Sequence, residues 1–213
     1  MIVAVDGPAA AGKGTLARRL AADLNLSYLD TGSLYRATGL ATLRAGGDPA
    51  LEADAVKAAQ SLDITKFSQE ELRTEQAGVA ASQVAFIPAV RTALLAFQRQ
   101  FAANPGPGKA GAVLDGRDIG TVVCPDASAK IFVTAALETR VQRRVKELRD
   151  KGEPFIETRV RAAMQARDAR DQDRSVAPLV PAPDAWILDT TALTADEAFA
   201  QARAYIVSKS KKR

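Results

Sequence analysis

Lys13 and Thr15 stand at the end of a glycine-bounded run, Gly7-Pro8-Ala9-Ala10-Ala11-Gly12-Lys13-Gly14-Thr15. An apolar stretch, Ile2-Val3-Ala4-Val5, precedes this run, and a helical pattern from Leu16 to Leu24 follows it. A strand, a glycine-bounded loop, a lysine, a hydroxyl and then a helix describe a phosphate-binding loop. Glycines let successive backbone N–H groups converge on a polyphosphate, and the helix N-terminus adds donors and partial positive charge. In this reading Gly7 to Thr15 binds a nucleotide's polyphosphate, Lys13 reaches the β- and γ-phosphates, and Thr15 ligates a magnesium ion. The competing reading is a glycine-rich turn with a stray lysine. The strand before the run and the helix after it weigh against that.

Further candidates lie at strand ends. Asp30, Asp115 and Asp189 each close a short apolar run. Asp115 is the best placed to hold a metal through water, whereas a turn-forming aspartate is the stronger reading of Asp189. In Asp115-Gly116-Arg117-Asp118 the guanidinium fork of Arg117 suits a phosphate. The Asp118 carboxylate suits an exocyclic amine or a sugar hydroxyl. At helical spacing Arg167, Arg170, Asp171 and Arg174 share one face and form an anion-binding stripe. The bland alternative for that stripe is a solvated helix laced with ion pairs, each worth a few tenths of a kcal/mol. For Arg140, Arg143, Arg144 and Arg149 the solvated face is the better reading.

Composition narrows the chemistry. The 213 residues include no histidine and one cysteine. Without histidine there is no Ser-His-Asp arrangement and few routes to a zinc site. A single cysteine, Cys124, forms no intrachain disulfide, reads as a packed residue, and points to the cytoplasm. What remains is lysine, arginine, aspartate and hydroxyls with a hard metal, the set that phosphoryl transfer uses. The formal charge of +4 comes partly from the tail Lys209 to Arg213, expected to be a frayed, solvated end. The chain runs directly into its first strand and has no membrane-length apolar run, so neither signal peptide nor span is expected.

Chain order supplies the frame. Apolar runs at Ile2–Val5, Leu26–Asp30, Ala112–Asp115, Lys130–Val133 and Ala185–Asp189 alternate with helical patterns. This predicts an α/β fold with a five-stranded parallel sheet covered on both faces. Asp48 to Gly111 carries no clear strand and reads as a helical insertion, with Ile64–Phe67 extended at best and Ser68 capping the acids that follow. Two arginine-rich helices, about 137–150 and 156–173, are split by Gly152 and Pro154. Ligands are expected outside the carboxyl ends of the strands.

These motifs together resemble the bacterial cytidylate (CMP) kinase family, P-loop nucleoside monophosphate kinases, over nearly the whole chain. The resemblance rests on Gly7–Thr15, with Gly14 between lysine and hydroxyl, and on Asp30-Thr31-Gly32-Ser33-Leu34-Tyr35-Arg36. It rests further on Ser82-Gln83-Val84-Ala85, Val90-Arg91, the run Asp115 to Val123, Arg167 to Arg174 and Val176-Ala177-Pro178-Leu179. It implies a P-loop NTPase fold in one domain, with a core of 1–47 and 111–213, a monophosphate-binding insertion at about 48–110 and a lid at about 151–170. It implies ATP and CMP or dCMP as substrates, ADP and CDP or dCDP as products, and Mg2+ as the metal.

The family's roles carry over residue by residue. Gly12, Lys13, Gly14 and Thr15 hold ATP phosphates and magnesium. Tyr35 and Arg36 line the monophosphate site, with Arg36 and Arg117 on the CMP phosphate. Ser82, Arg91, Asp118 and Arg174 read the cytosine edge, and Thr31, Arg167 and Asp171 contact the sugar. Arg170 belongs with Lys13, Arg36 and Arg117 in the catalytic set. Two departures stand out. The segment Leu62 to Glu75 is too short for the extra strands of the commoner bacterial members, which bears on closure of the insertion and lid. Thr31 stands where many members have serine.

Other readings are a kinase for UMP, AMP or a small metabolite, a nucleic-acid-binding nucleotide switch, or an inactive homologue. The set Ser82, Arg91 and Asp118 argues for a cytosine acceptor. No stacking aromatics in a basic groove support a nucleic-acid partner. The expectation is therefore a monomeric cytoplasmic enzyme with no nucleic-acid or membrane partner.

Overall fold

A computed structural model describes residues 1–210. Five strands form one sheet: β1 (Ile2–Asp6), β2 (Ser27–Asp30), β3 (Ala112–Gly116), β4 (Ala129–Thr134) and β5 (Trp186–Asp189). Their order across the sheet is β2-β3-β1-β4-β5. β1 pairs in parallel with β3 on one side and β4 on the other, and β4 pairs in parallel with β5. Val3, Ala4 and Val5 are wholly buried. A run of apolar residues without alternation suits a strand with neighbours on both edges and cover on both faces.

The helices are α1 (Lys13–Asp23), α2 (Thr31–Arg44), α3 (Glu52–Gln60), α4 (Glu75–Val84), α5 (Pro88–Ala103), α6 (Leu137–Asp150), α7 (Glu157–Gln172) and α8 (Ala195–Ser210). The chain forms two compact units, one of Met1–Leu29 with the chain from Ala102 on, and one of Asp30–Phe101. In the first unit, Leu16, Ala17 and Leu20 of α1 and Ala198, Ala202 and Ile206 of α8 share a core with Val3, Val5, Ile131 and Val133. A smaller core joins Val141 and Val145 of α6 to Met164 of α7. In the second unit, Leu34 and Tyr35 pack with Ala55, Ala81, Val84 and Val90. No single helix among the described residues is long and apolar enough to cross a membrane.

All five sequence-predicted strands are present. The segment 48–111 carries no strand among the described residues, and Ile64–Lys66 and Glu71–Arg73 are short 3-10 turns. Ser68 does cap: its Oγ accepts from the Glu71 N–H, and Glu71 accepts from the Ser68 N–H in return. That reciprocal pair begins a 3-10 turn instead of a helix. Cys124 is buried, as expected of a packed residue. α8 continues through Ser210, so Lys209 is helical and lies over the Tyr205 ring; Lys211–Arg213 lie outside the described residues.

The second unit depends on a close crossing of α2 and α4. A Cβ at Gly39 would lie 2.6 Å from the Cβ of Ala80 and 2.8 Å from its carbonyl carbon. Overpacking costs about 1–3 kcal/mol, against a gain of about 1 kcal/mol in helix propensity. The clash includes the Ala80 backbone, which puts the cost in the upper half of that range, and Gly39→Ala is expected to lower the melting temperature by about 2–8 °C, followed by circular dichroism. An unchanged or higher melting temperature would show that the two helices separate without penalty.

Candidate functional site

The loop after β1 is shaped by local backbone demands. Gly7 has φ of +143°, and a Cβ there would lie 1.9 Å from the Val133 carbonyl oxygen, so the chain passes β4 where no side chain fits. Ala10 and Gly12 also take positive φ. α1 begins at Lys13, so its first N–H groups lack partners inside the helix. Lys13 is 7% exposed. Its ammonium donates to the Pro8 carbonyl at 3.2 Å and lies 3.8 Å from Asp115 Oδ1. Asp115 sits on β3, next to β1, and its Oδ2 accepts from the Tyr28 hydroxyl at 3.4 Å. The geometry thus joins Lys13, at the start of α1, to Asp115 on β3.

Past β3 the chain makes a π-helical turn, Ile119–Val123, with Asp118 at its cap position. Asp118 is buried but makes no side-chain cap hydrogen bond. The acceptor comes from elsewhere. Asp6, the last residue of β1, accepts from the Ile119 N–H at 2.8 Å and from the Gly120 N–H at 2.7 Å. Burial pushes the Asp6 carboxyl up to about 7; the two N–H groups oppose that shift, and the charges of Asp118 and Asp115 add to it. Sequence reasoning gave Asp6, the residue after the apolar run Ile2–Val5, no role. Its signal was a charged residue closing a run otherwise fully apolar.

Arg117 donates from Nε to Asp171 Oδ2 at 2.9 Å and to the carbonyl of its neighbour Gly116. Arg174 also pairs with Asp171. Burial raises the Asp171 carboxyl, but Arg117, Arg174 and Arg167 together outweigh it and hold the group below the usual carboxylate range. The structure therefore gathers Arg117, Arg167, Asp171 and Arg174. It does so differently from the expected single helical face. α7 ends at Gln172, so Arg174 lies beyond the helix and returns to Asp171 from the following segment. Arg170 is exposed while its neighbour Asp171 is buried.

Arg140 overturns the solvated-face expectation. It is 7% exposed. It donates to the Ala135 and Ala9 carbonyls and pairs with Asp168 at 2.7 Å. Arg143 likewise binds the hydroxyl and carbonyl of Thr190. Arg144 keeps to the expected pattern, with Glu147 three residues on. Two of the Arg140 partners, Ala9 and Asp168, lie 131 and 28 residues away, beyond any local spacing rule. Asp189 is a turn-former: its Oδ1 accepts from the Thr191 N–H and hydroxyl, and those hydrogen bonds lower its carboxyl.

In the second unit Arg91 lies over the Tyr35 ring at 5.4 Å and donates to the Ala85 carbonyl at 3.2 Å. Ser82, Arg91, Tyr35 and Thr31 are all buried. A buried serine, a buried guanidinium and an aromatic face offer polar donors beside a flat surface. Arg36 pairs with Asp30 at 3.5 Å. Among the described residues no three acids, histidines or cysteines cluster as a metal cage.

Known proteins resemble this chain over nearly its whole length. The cytidylate kinase family model matches residues 3–208. A cytidylate kinase from Paramagnetospirillum magneticum is 60% identical over 98% of each chain, and one from Rhodospirillum rubrum is 54% identical over the whole of both. The fold is shared with a solved but uncharacterised protein from Eubacterium ventriosum, at a TM-score of 0.51 and 14% identity over 98% of this chain and 99% of that one.

Replacing Asp171 tests the electrostatics of the arginine group. Asp171→Asn leaves Arg117 and Arg174 in place with one fewer counter-charge, which is expected to cost about 3 kcal/mol. Because the native carboxyl titrates low, the loss is full above its unfolded value near 4. It shrinks as pH falls through the depressed native value. Urea unfolding of both proteins at pH 7 and pH 3 checks this; an equal difference at both pH values would contradict the ion-pair account.

Proposed function

The chain belongs to the cytidylate kinase family, and we propose that it transfers the γ-phosphoryl group of ATP to CMP and dCMP, giving ADP and CDP or dCDP. The observation that carries this reading is the pairing of a phosphate-binding loop, with Lys13 facing Asp115, with a family match over almost the whole chain.

The mechanism follows from the residues. Backbone N–H groups from Gly7 to Thr15 bind the ATP phosphates, and Lys13 neutralises charge near the transferred group. Arg36 and Arg117 are assigned to the CMP phosphate, and Arg170 to the charge that spreads over the transferring oxygens. Ser82, Arg91, Asp118 and Arg174 are assigned to the cytosine edge. Thr31, Arg167 and Asp171 are assigned to the sugar, and Tyr35 lines the monophosphate site. The acceptor is already an anionic phosphate oxygen, so no strong base is needed. This agrees with a chain that has no histidine. Attack in line on the γ-phosphorus forms one P–O bond as the bond to the β-phosphate oxygen breaks.

The donor set fits Mg2+. Thr15 offers a hydroxyl and Asp115 a carboxylate, the latter through water, and both are hard oxygen ligands. Mg2+ keeps several waters and leans on substrate phosphates, so a full protein cage is not required. When bound, the ion supplies charge neutralisation on the β- and γ-phosphates. We place the enzyme in the cytoplasm as a monomer acting on free nucleotides; the single buried cysteine suits a reducing compartment.

An ADP-release assay with CMP, dCMP, UMP and AMP in parallel tests the reading. CMP and dCMP are expected to lead. Equal rates with AMP would remove the base-reading roles of Ser82, Arg91 and Asp118. In the same assay Lys13→Ala is expected to lose at least about a hundredfold in kcat with an unchanged circular dichroism spectrum. Near-normal turnover would remove the loop from the mechanism.

A further inference from the structure

Asp6 has no part in the roles assigned above, yet it sits between two of them. It is the last residue of β1 and directly precedes Gly7, where the phosphate loop begins. Both of its carboxylate oxygens are engaged, one by the Ile119 N–H at 2.8 Å and the other by the Gly120 N–H at 2.7 Å. These N–H groups open the π-helical turn that follows Arg117 and Asp118. The first N–H groups of any helical turn lack partners inside it and are ordinarily capped by the residue just before, for which aspartate is among the preferred types. Asp118 occupies that position and makes no side-chain cap hydrogen bond. The cap arrives instead from a residue 113 and 114 positions upstream.

We propose that Asp6 is a positioning residue for acceptor recognition: it caps the turn in place of Asp118 and so keeps the Asp118 carboxylate directed to the base. This rests on the reading that Asp118 meets the cytosine amino group. The fit around the cap is close. A Cβ at Gly120 would lie 3.3 Å from Asp6 Oδ2 and 3.2 Å from Lys130 Cδ, so a side chain there would crowd the carboxylate. Without the cap from Asp6, the two N–H groups would recruit the nearest carboxylate, which in sequence is that of Asp118. An acid turned toward the helix end no longer accepts from an exocyclic amine, and the difference between CMP and UMP lies at that amine. In UMP a carbonyl oxygen replaces it, and a carboxylate facing it is repulsive.

The test is the ratio of kcat/KM for CMP to that for UMP, a quantity that a purely structural role would leave alone. Asp6→Asn keeps the shape but has one acceptor oxygen for two donors. It is expected to lower the CMP-to-UMP ratio about tenfold while KM for ATP changes less than twofold. Gly120→Ala keeps the carboxylate but pushes the turn away from it. It is expected to lower the ratio in the same direction, and it serves as the second variant where Asp6→Asn folds poorly. Asp118→Asn is the control. If it lowers the ratio while Asp6→Asn and Gly120→Ala keep the wild-type value, the positioning role is overturned and the base-reading role stands. If Asp118→Asn itself keeps the wild-type ratio, the base-reading role falls and the positioning role falls with it.

Discussion

The hydrogen bonds from Ile119 and Gly120 to Asp6 join two stretches of chain that the chemistry needs in fixed relation. β1 cannot shift to accommodate them, because it is laddered to β3 on one edge and β4 on the other. Its carboxyl end therefore acts as a fixed post. One residue past it begins the loop that binds phosphate, and onto it is fastened the turn that follows Arg117 and Asp118. The same ladder sets Asp115 beside Val5, which brings its carboxylate to the Lys13 ammonium. The Lys13–Asp115 pair and the turn after Asp118 thus share one strand as their reference.

A second constraint is charge burial. Arg140, Arg174 and Asp171 are all less than a tenth exposed, and isolated buried charges are costly unless paired and hydrogen-bonded. The fold answers with clusters. Asp171 stands among Arg117, Arg167 and Arg174, and Arg140 divides its fork between backbone carbonyls and Asp168. Arg140 also links the phosphate loop, through Ala9, to α7, where Asp168 stands between Arg167 and Arg170. These pairs stabilise less than their number suggests, since desolvation offsets much of the attraction. What they supply is orientation: a guanidinium held by fixed acceptors presents its remaining donors in one direction.

How much of this was legible in the sequence depends on how local each feature is. Ile2–Val5 and Lys13–Thr15 carry their meaning within a dozen residues, so the first strand, the loop and the helix after it could be read directly. The five-stranded sheet followed from the alternation of short apolar runs with helical patterns. Arg140 could not be read, because a basic residue on an arginine-rich helix looks solvated until Ala9 and Asp168 are brought to it by folding. Arg174 was placed on a helical face by 100° arithmetic, which holds only while the helix continues; α7 ends at Gln172. Asp6 carried no reading at all, because its partners lie more than a hundred residues away.

Asp6 and Asp171 show why residue type alone underdetermines a site. Both are buried aspartates in the same unit, and burial pushes both carboxyls up. Asp171 faces three guanidinia, which reverse the shift, so it remains an anion at any pH near neutral. Asp6 has backbone N–H groups as its hydrogen-bond partners, and burial, with the charges of Asp118 and Asp115 added, carries its carboxyl up to about 7. A carboxylate placed among acids is a poor counter-ion, and its retention at the end of β1 has to be explained by geometry. Two converging N–H groups require two acceptor oxygens at a fixed spacing, and aspartate is the shortest side chain that offers them. The charge is then a cost of the shape, and the shape leaves the neighbouring Asp118 outside the cap.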